Sequence, residues 1–313
     1  MKSPQRYSHL DDHAAAGMTL PDDERVQFIL ADRFIRHRAL NKLMIHLETL
    51  VLEPRRVRAW GLVITGDPGA GKTMLATSLS RRFAPITATD DAPQQVPIVS
   101  ISMTGAREAK TIFNRTLEAL GIPIVATLRG SDREELAIRM LRQLGVRLLI
   151  VDEIQDILNS TPRQQRIALD TVKLLMNEVK IPILALGIPK AILAMKADPH
   201  LNARFDYREL PSWKDNNDFE VLLHSLVRNL PLANPSHLTT TTLVRSILER
   251  TEGTLARIVR LIRYAAVHAI LTGRECIDAQ MLDLADEVPD LSGLTPPQEA
   301  GIERGSAGRR QAA

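Results

Sequence analysis

The chain has 313 residues, 44% of them hydrophobic and 25% charged, a balance that excludes a mostly disordered chain and suits two packed units. Cys276 is the sole cysteine, which excludes an intrachain disulfide scaffold. The formal net charge of +3 permits nucleic-acid contact without demanding it, and 4% aromatics argue against a base-stacking single-strand binder.

Residues 1–20 read as loosely ordered, and they contain no apolar h-region of a secretory signal. The expected location is therefore the cytoplasm. Pro21-Asp22-Asp23-Glu24 marks a helix start, with acids facing the helix dipole. Ala39 to Leu52 carries Leu40, Leu43, Met44, Leu47, Leu50 and Val51 at helical spacing. Glu53-Pro54 ends that helix, and Arg55, Arg56 and Arg58 follow as a basic patch, read as a solvated loop. The pattern then changes to short apolar strands alternating with helices. Strands are expected at Leu62–Ile64, Pro97–Ile101, Arg147–Val151 and Ile183–Leu186. Helices are expected at Lys72–Phe83, Arg107–Leu120, Arg133–Leu144 and Gln164–Val179. This alternation implies a parallel sheet covered on both faces. The most apolar window, Ile181 to Met195, contains Pro182, Gly187, Pro189 and Lys190 and falls short of the ~20 residues of a membrane span. After Leu210 the periods are helical: Asp218–Asn229, Thr241–Arg250, Leu255–Leu271 and Ala279–Glu287.

Two motifs carry chemistry. Gly66-Asp67-Pro68-Gly69-Ala70-Gly71-Lys72-Thr73 fits the phosphate-loop pattern between a strand and a helix. Its glycines let successive N–H groups converge on an anion, and the next helix adds its positive end. Lys72 is placed to reach the β- and γ-phosphates, and the Thr73 hydroxyl to ligate Mg²⁺. Leu148 to Val151 is an apolar strand ending in Asp152-Glu153. Alternation gives the two carboxylates different directions and different tasks: Asp152 for the Mg²⁺ shell, Glu153 for polarising the attacking water. Together the motifs predict an enzyme that hydrolyses ATP.

With a phosphate loop, an Asp-Glu strand and a helical C-terminal part in this order, the chain resembles the AAA+ ATPases. Within them it is similar to the TniB/TnsC group, ATP-dependent target-selection regulators of bacterial transposons. Beside the ATP motifs, the resemblance is carried by Leu20 to Arg25 with Ala31-Asp32-Arg33-Phe34-Ile35, by Leu201-Asn202-Ala203-Arg204-Phe205, and by Thr251-Glu252-Gly253 with Arg257. It covers about residues 20–288. It implies an α/β fold, a P-loop AAA+ parallel sheet with flanking helices and a small helical lid. The segments are a helical extension (1–54), the nucleotide-binding domain (55–210), the lid (211–288) and a disordered tail (289–313). Arg204 is similar to the arginine finger that reaches a neighbouring subunit's nucleotide; the alternative is a surface pair with Asp206 or Glu209. Arg257 stands where a lid arginine would touch phosphate, or else faces solvent or DNA.

The same resemblance implies a homo-oligomer, ring or filament, around duplex DNA. Lys110 is similar to the family's backbone-gripping lysine, with Arg115 and Arg129, and also Asn114 and Arg133, as further candidates; each alternatively faces solvent. Such contacts go to phosphates and carry no sequence information. One departure stands out: Ile188 occupies a place where TniB-like chains usually have Thr, so no polar sensor group is present there. The expected activity is weak, DNA-stimulated ATP hydrolysis with Mg²⁺, and the expected partners are a transposase and a TniQ-like targeting adaptor. A helicase-loader ATPase and an ATP-binding scaffold with negligible turnover are the rivals. The eight histidines show no metal spacing, and Cys276, Met74, Met140 and Met176 read as core filler.

Overall fold

The computed structural model describes residues 7–32, 38–56, 58–89, 93–106, 108–124, 129–158 and 160–294. Arg33, Phe34, Ile35 and Arg107, and residues 295–313 of the expected tail, lie outside the described residues. The chain falls into two compact units, one of residues 1–32, 227–237 and 262–313, the other of residues 33–226 and 238–261.

The smaller unit starts with helices α1 (Asp12–Gly17) and α2 (Asp22–Leu30). The expected looseness of residues 1–20 does not hold for residues 7–20. The Asp11 side chain caps α1 by accepting from Ala14 N at 2.7 Å, and Asp11 N donates to Arg228 O at 2.9 Å. His9 Nε2 sits 3.1 Å from Leu232 O. The anchors at Arg228 and Leu232 lie more than 200 positions away, so no local pattern announces them. In α2, Arg25 is 6% exposed. Its guanidinium bonds Asp22 Oδ1 at 2.8 Å, Glu275 Oε2 at 2.5 Å and Pro231 O at 2.7 Å. Burial alone would lower its pKa, but Glu275 and Asp22 outweigh it and hold Arg25 above its ordinary value.

The larger unit opens with α3 (Arg38–Leu52) and the strand β1 (Gly61–Gly66), followed by α4 (Lys72–Arg82) and β2 (Ile98–Ser102). Next come α5 (Thr111–Ala119), α6 (Gly130–Gln143), β3 (Leu148–Asp152), α7 (Gln155–Leu158) and α8 (Pro162–Glu178). Then follow β4 (Ile183–Gly187), α9 (Lys190–Ala197), α10 (Pro199–Asn202) and β5 (Phe205–Leu210). The helices α11 (Asn217–Arg228), α12 (Thr241–Thr251), α13 (Leu255–Leu271) and α14 (Ala279–Leu284) complete the described chain. Among the described residues the five strands form one parallel sheet in the order β2-β3-β4-β1-β5.

The sheet is coated on both faces because its central strands are largely apolar and buried at every position. β1, β3 and β4 are buried throughout, and strand alternation sends neighbouring residues to opposite layers. Val63, Leu149, Val151 and Ile183 join a core with Ile112, Phe113 and Leu117 of α5, Leu141 of α6, and Val172 and Leu175 of α8. Leu62, Ile64, Leu148, Ile150 and Leu184 join the other core, with Leu40, Leu47 and Val51 of α3 and Leu75 and Leu79 of α4. β5 is the strand that the sequence reading lacks. Its ends, Phe205 and Leu210, are buried, but Asp206, Arg208 and Glu209 are exposed, so its polarity hides an edge strand paired with β1. The helix after β2 begins at Thr111, with Lys110 as its N-cap residue, later than expected. Arg55, Arg56 and Arg58 of the basic patch are exposed, as expected; Arg55 donates to Val146 O at 3.2 Å, and Arg56 pairs with Glu53 at 3.1 Å. Met74, Met140 and Cys276 are half-buried, whereas Met176 is fully buried.

Candidate functional site

The phosphate-loop residues follow directly from β1 at the carboxyl end of the sheet, where parallel α/β sheets place their ligand crevices. Gly69 and Gly71 have φ of +81° and +96°, a left-handed backbone that side-chain-bearing residues avoid. A Cβ on Gly69 would also stand 3.0 Å from Thr254 Cγ2 and Ala256 Cβ, so the loop is packed closely under the start of α13. Ala256 N donates to Gly69 O at 3.0 Å, and Ala70 N closes the turn onto Asp67 O at 3.1 Å. Asp67 Oδ2 accepts from Ser212 Oγ at 3.2 Å. Pro68 at the loop's crest fixes φ and has no N–H of its own to satisfy.

Lys72 opens α4 and is 6% exposed. Its Nζ is folded onto its own loop, bonding Gly66 O at 2.7 Å and Asp67 O at 3.1 Å. Burial pushes its pKa down, and Glu153, Asp152 and Asp67 offset part of that shift. Thr73 Oγ1 donates to Asp152 Oδ2 at 2.8 Å, although the two are 79 positions apart. The other carboxylate oxygen of Asp152 accepts from Glu153 N at 2.9 Å. Glu153 itself has φ of +54°, an uncommon backbone for a residue with a side chain and one that clusters at functional sites. That turn directs its carboxylate to Gln155 Nε2, which donates to Glu153 Oε2. A hydroxyl and a carboxylate at hydrogen-bond distance fit a hard cation such as Mg²⁺, which takes one or two protein oxygens and draws the rest from phosphates and water. Among the described residues no group of three or more His, Cys, Asp or Glu side chains could hold a metal ion without such help.

Arg257 lies one residue beyond Ala256, the residue that bonds Gly69 O, and its guanidinium pairs with Glu252 at 3.0 Å. Arg204 lies elsewhere. Its backbone carbonyl accepts from Gly61 N at 2.8 Å, at the amino end of β1. β1 spans roughly 17 Å at ~3.3 Å per residue, so Arg204 is separated from its own phosphate loop by the length of a strand. Its Nη1 donates to Asn177 Oδ1 at 2.6 Å rather than to Asp206 or Glu209, and its buried Nε has no hydrogen-bond partner.

The family described as "Bacterial TniB protein" matches residues 25–215, more than half of the chain. This chain belongs to the TniB family. Solved structures similar to this TniB-family chain include the Aeropyrum pernix ORC2 protein in its ADPNP-ADP complexes, at 17% identity and a TM-score of 0.57, covering 84% of this chain and 72% of that one. The A. pernix ORC1 protein in complex with DNA matches at 15% and 0.58, over 83% and 68% of the two chains. Cdc6p from Pyrobaculum aerophilum matches at 17% and 0.56, over 82% and 68%. At these identities the likeness is one of fold, and the fold is that of the AAA+ ATPases. No curated protein matches the chain.

The candidate DNA contacts of this TniB-family chain lie after β2. Lys110 is exposed, with its ammonium on Glu108 Oε2 at 2.5 Å. Arg115 is turned onto its own loop, donating to Ser102 O and, at 2.8 Å, to Thr104 O. Arg129 is an exposed N-cap residue of α6, and Arg133 Nη1 bonds Asn114 Oδ1 at 3.3 Å. The loop after β2 is tied to the acidic strand end by Gly105 N, which donates to Asp156 Oδ2 at 2.8 Å. Sequence reasoning overlooked Gln155 and Asp156; their signal was two polar residues just past Asp152-Glu153. No helix among the described residues is long and apolar enough to cross a membrane.

Proposed function

We propose that this TniB-family protein is an ATPase that assembles on duplex DNA without reading sequence, recruits a transposase and a TniQ-like targeting adaptor, and so regulates DNA transposition in the cytoplasm. The observation that carries the reading is the Thr73–Asp152 hydrogen bond, which joins the two ATP motifs at the carboxyl end of the sheet beside a buried Lys72.

Gly66 to Gly71 would cradle the phosphates with backbone N–H groups, and Lys72 would exchange its two loop carbonyls for phosphate oxygens. Mg²⁺, held by Thr73 and Asp152, would neutralise charge on the β- and γ-phosphates. Glu153 would accept a proton from the attacking water. Arg257 would meet phosphate from the lid by leaving Glu252, an exposed pair that costs at most about 1 kcal/mol to break. Arg204 would act on a neighbour's nucleotide, in keeping with its place at the amino end of β1, which makes assembly and turnover interdependent. Lys110, Arg115 and Arg129 would face DNA phosphates. The fold-sharing A. pernix ORC1 protein is seen in complex with DNA, which agrees with this reading.

The test is ATP turnover with and without duplex DNA, for the native chain and Glu153→Gln. Turnover that rises with DNA and disappears in Glu153→Gln is the expected result. Absent turnover with retained ATP-dependent DNA binding would favour the scaffold reading, which the apolar Ile188 motivates. Co-purification with a replicative helicase instead of a transposase would favour a helicase-loader role.

A further inference from the structure

Ile188 leaves the end of β4 without a polar side chain, yet a polar group is present there. Gln155, the first residue of α7, is 6% exposed. Its Oε1 accepts from Ile188 N at 3.3 Å, while its Nε2 donates to Glu153 Oε2. The orientation of this amide is dictated by its partners. A backbone N–H needs an acceptor and an ionised carboxylate needs a donor, so a flipped amide would lose both bonds. The β4 terminus is also shaped to admit it: a Cβ on Gly187 would stand 2.6 Å from Gln155 Oε1. A buried amide with both ends engaged has one conformation, and it fixes the carboxylate it touches.

We propose that Gln155 is a positioning residue for ATP hydrolysis, holding the Glu153 carboxylate in register with β4 through a buried amide that stands where Ile188 offers no polar side chain. The proposal rests on the reading of Glu153 as the base. In that reaction the water oxygen bonds to the γ-phosphorus as its proton passes to Glu153. The bond from that phosphorus to the β–γ bridging oxygen breaks, releasing ADP and inorganic phosphate. Gln155 neither gains nor loses a proton. Its donated hydrogen bond restricts where the Glu153 carboxylate points.

The test uses the full chain with duplex DNA and compares Gln155→Leu and Gln155→Glu with the native protein. Turnover is resolved into kcat and KM, affinity is read with a fluorescent ATP analogue, and amide exchange at Ile188 is measured without nucleotide. Gln155→Leu is expected to lower kcat by about 10- to 100-fold, less than the ~10²–10⁴ attributed to a general base itself, with KM and analogue affinity within about twofold. Ile188 exchange should quicken. Gln155→Glu keeps an acceptor for Ile188 N but sets a like charge beside Glu153. Its Ile188 exchange should stay near the native rate while kcat falls about as far as in Gln155→Leu, which separates the hold on Glu153 from the hold on β4. Should Gln155→Leu fail to bind the analogue, kcat and Ile188 exchange in Gln155→Glu decide alone. Native kcat in variants that bind nucleotide would overturn the role of Gln155 while Glu153 stands. Native-like turnover in Glu153→Gln, or none in the native chain, would remove the base reading and this role with it.

Discussion

The two ends of the parallel sheet are built differently. At the carboxyl ends of the strands the polar groups answer one another: Lys72 on Gly66 and Asp67, Thr73 on Asp152, Glu153 N on Asp152, Gln155 between Glu153 and Ile188. At the amino ends Arg204 has Asn177 on one nitrogen and a buried Nε without a partner. The first end is already ordered, with its polar groups oriented by hydrogen bonds. The second is a half-satisfied arginine in the turn before an edge strand. On the proposed reading, the contrast separates residues that act within their own chain from one that acts on a neighbour.

The largest expected effect comes from emptying the first end. Lys72→Ala should abolish nucleotide-dependent DNA binding, measured by a filter or fluorescence assay with and without ATP; full retention would break the phosphate-loop assignment. Next is the second end. Arg204→Ala should leave ATP-analogue affinity unchanged while turnover falls by about 10³-fold, the low end of what an arginine finger contributes. Turnover at the native rate would remove Arg204 from the reaction and make the sheet's amino end purely structural. Lys110→Ala should weaken binding equally across DNA sequences and reduce the slope of log K against log salt by about one. An unchanged slope excludes Lys110 from the phosphate contacts.

The smallest effect concerns how Arg204 is presented. Asp198 caps α10 just before it, accepting from His200 N at 2.9 Å and Leu201 N at 3.1 Å, and it pairs with Lys173 at 2.8 Å. Burial pushes the Asp198 carboxyl up, but Lys173 and the two backbone donors hold it below its ordinary value. A depressed carboxyl stabilises the fold above its unfolded pKa and loses that contribution as pH falls through the folded value. Asp198→Ala should therefore cost about 1 kcal/mol at neutral pH, and the gap to the native chain should narrow below about pH 4. A gap independent of pH in denaturant titrations would assign the effect to packing instead.

How much of this was legible in the sequence follows from the range of each interaction. Leu62 to Thr73 and Leu148 to Glu153 combine an apolar strand with local motif chemistry, so the sheet's centre and the carboxyl-end site could be read directly. β5 could not: Asp206, Arg208 and Glu209 give an edge strand the polarity of a loop, and its pairing with β1 is 144 positions away. Arg25 was visible as part of a signature, but its reason, an ion pair with Glu275, is 250 positions distant. Gln155 was hidden by its neighbours: next to an Asp-Glu pair, one more polar residue carries no periodic signal. Its role depends on Gly187, which leaves room for the amide.

Arg204's station across the sheet from Gly66 has a kinetic consequence. No rotamer change carries a guanidinium the length of β1. On the proposed reading, a lone copy therefore lacks one of the groups that cleave its fuel, specific activity climbs with protein concentration and collapses on dilution, and mixtures of Lys72→Ala with Arg204→Ala chains regain turnover at the junctions where an intact loop meets an intact arginine.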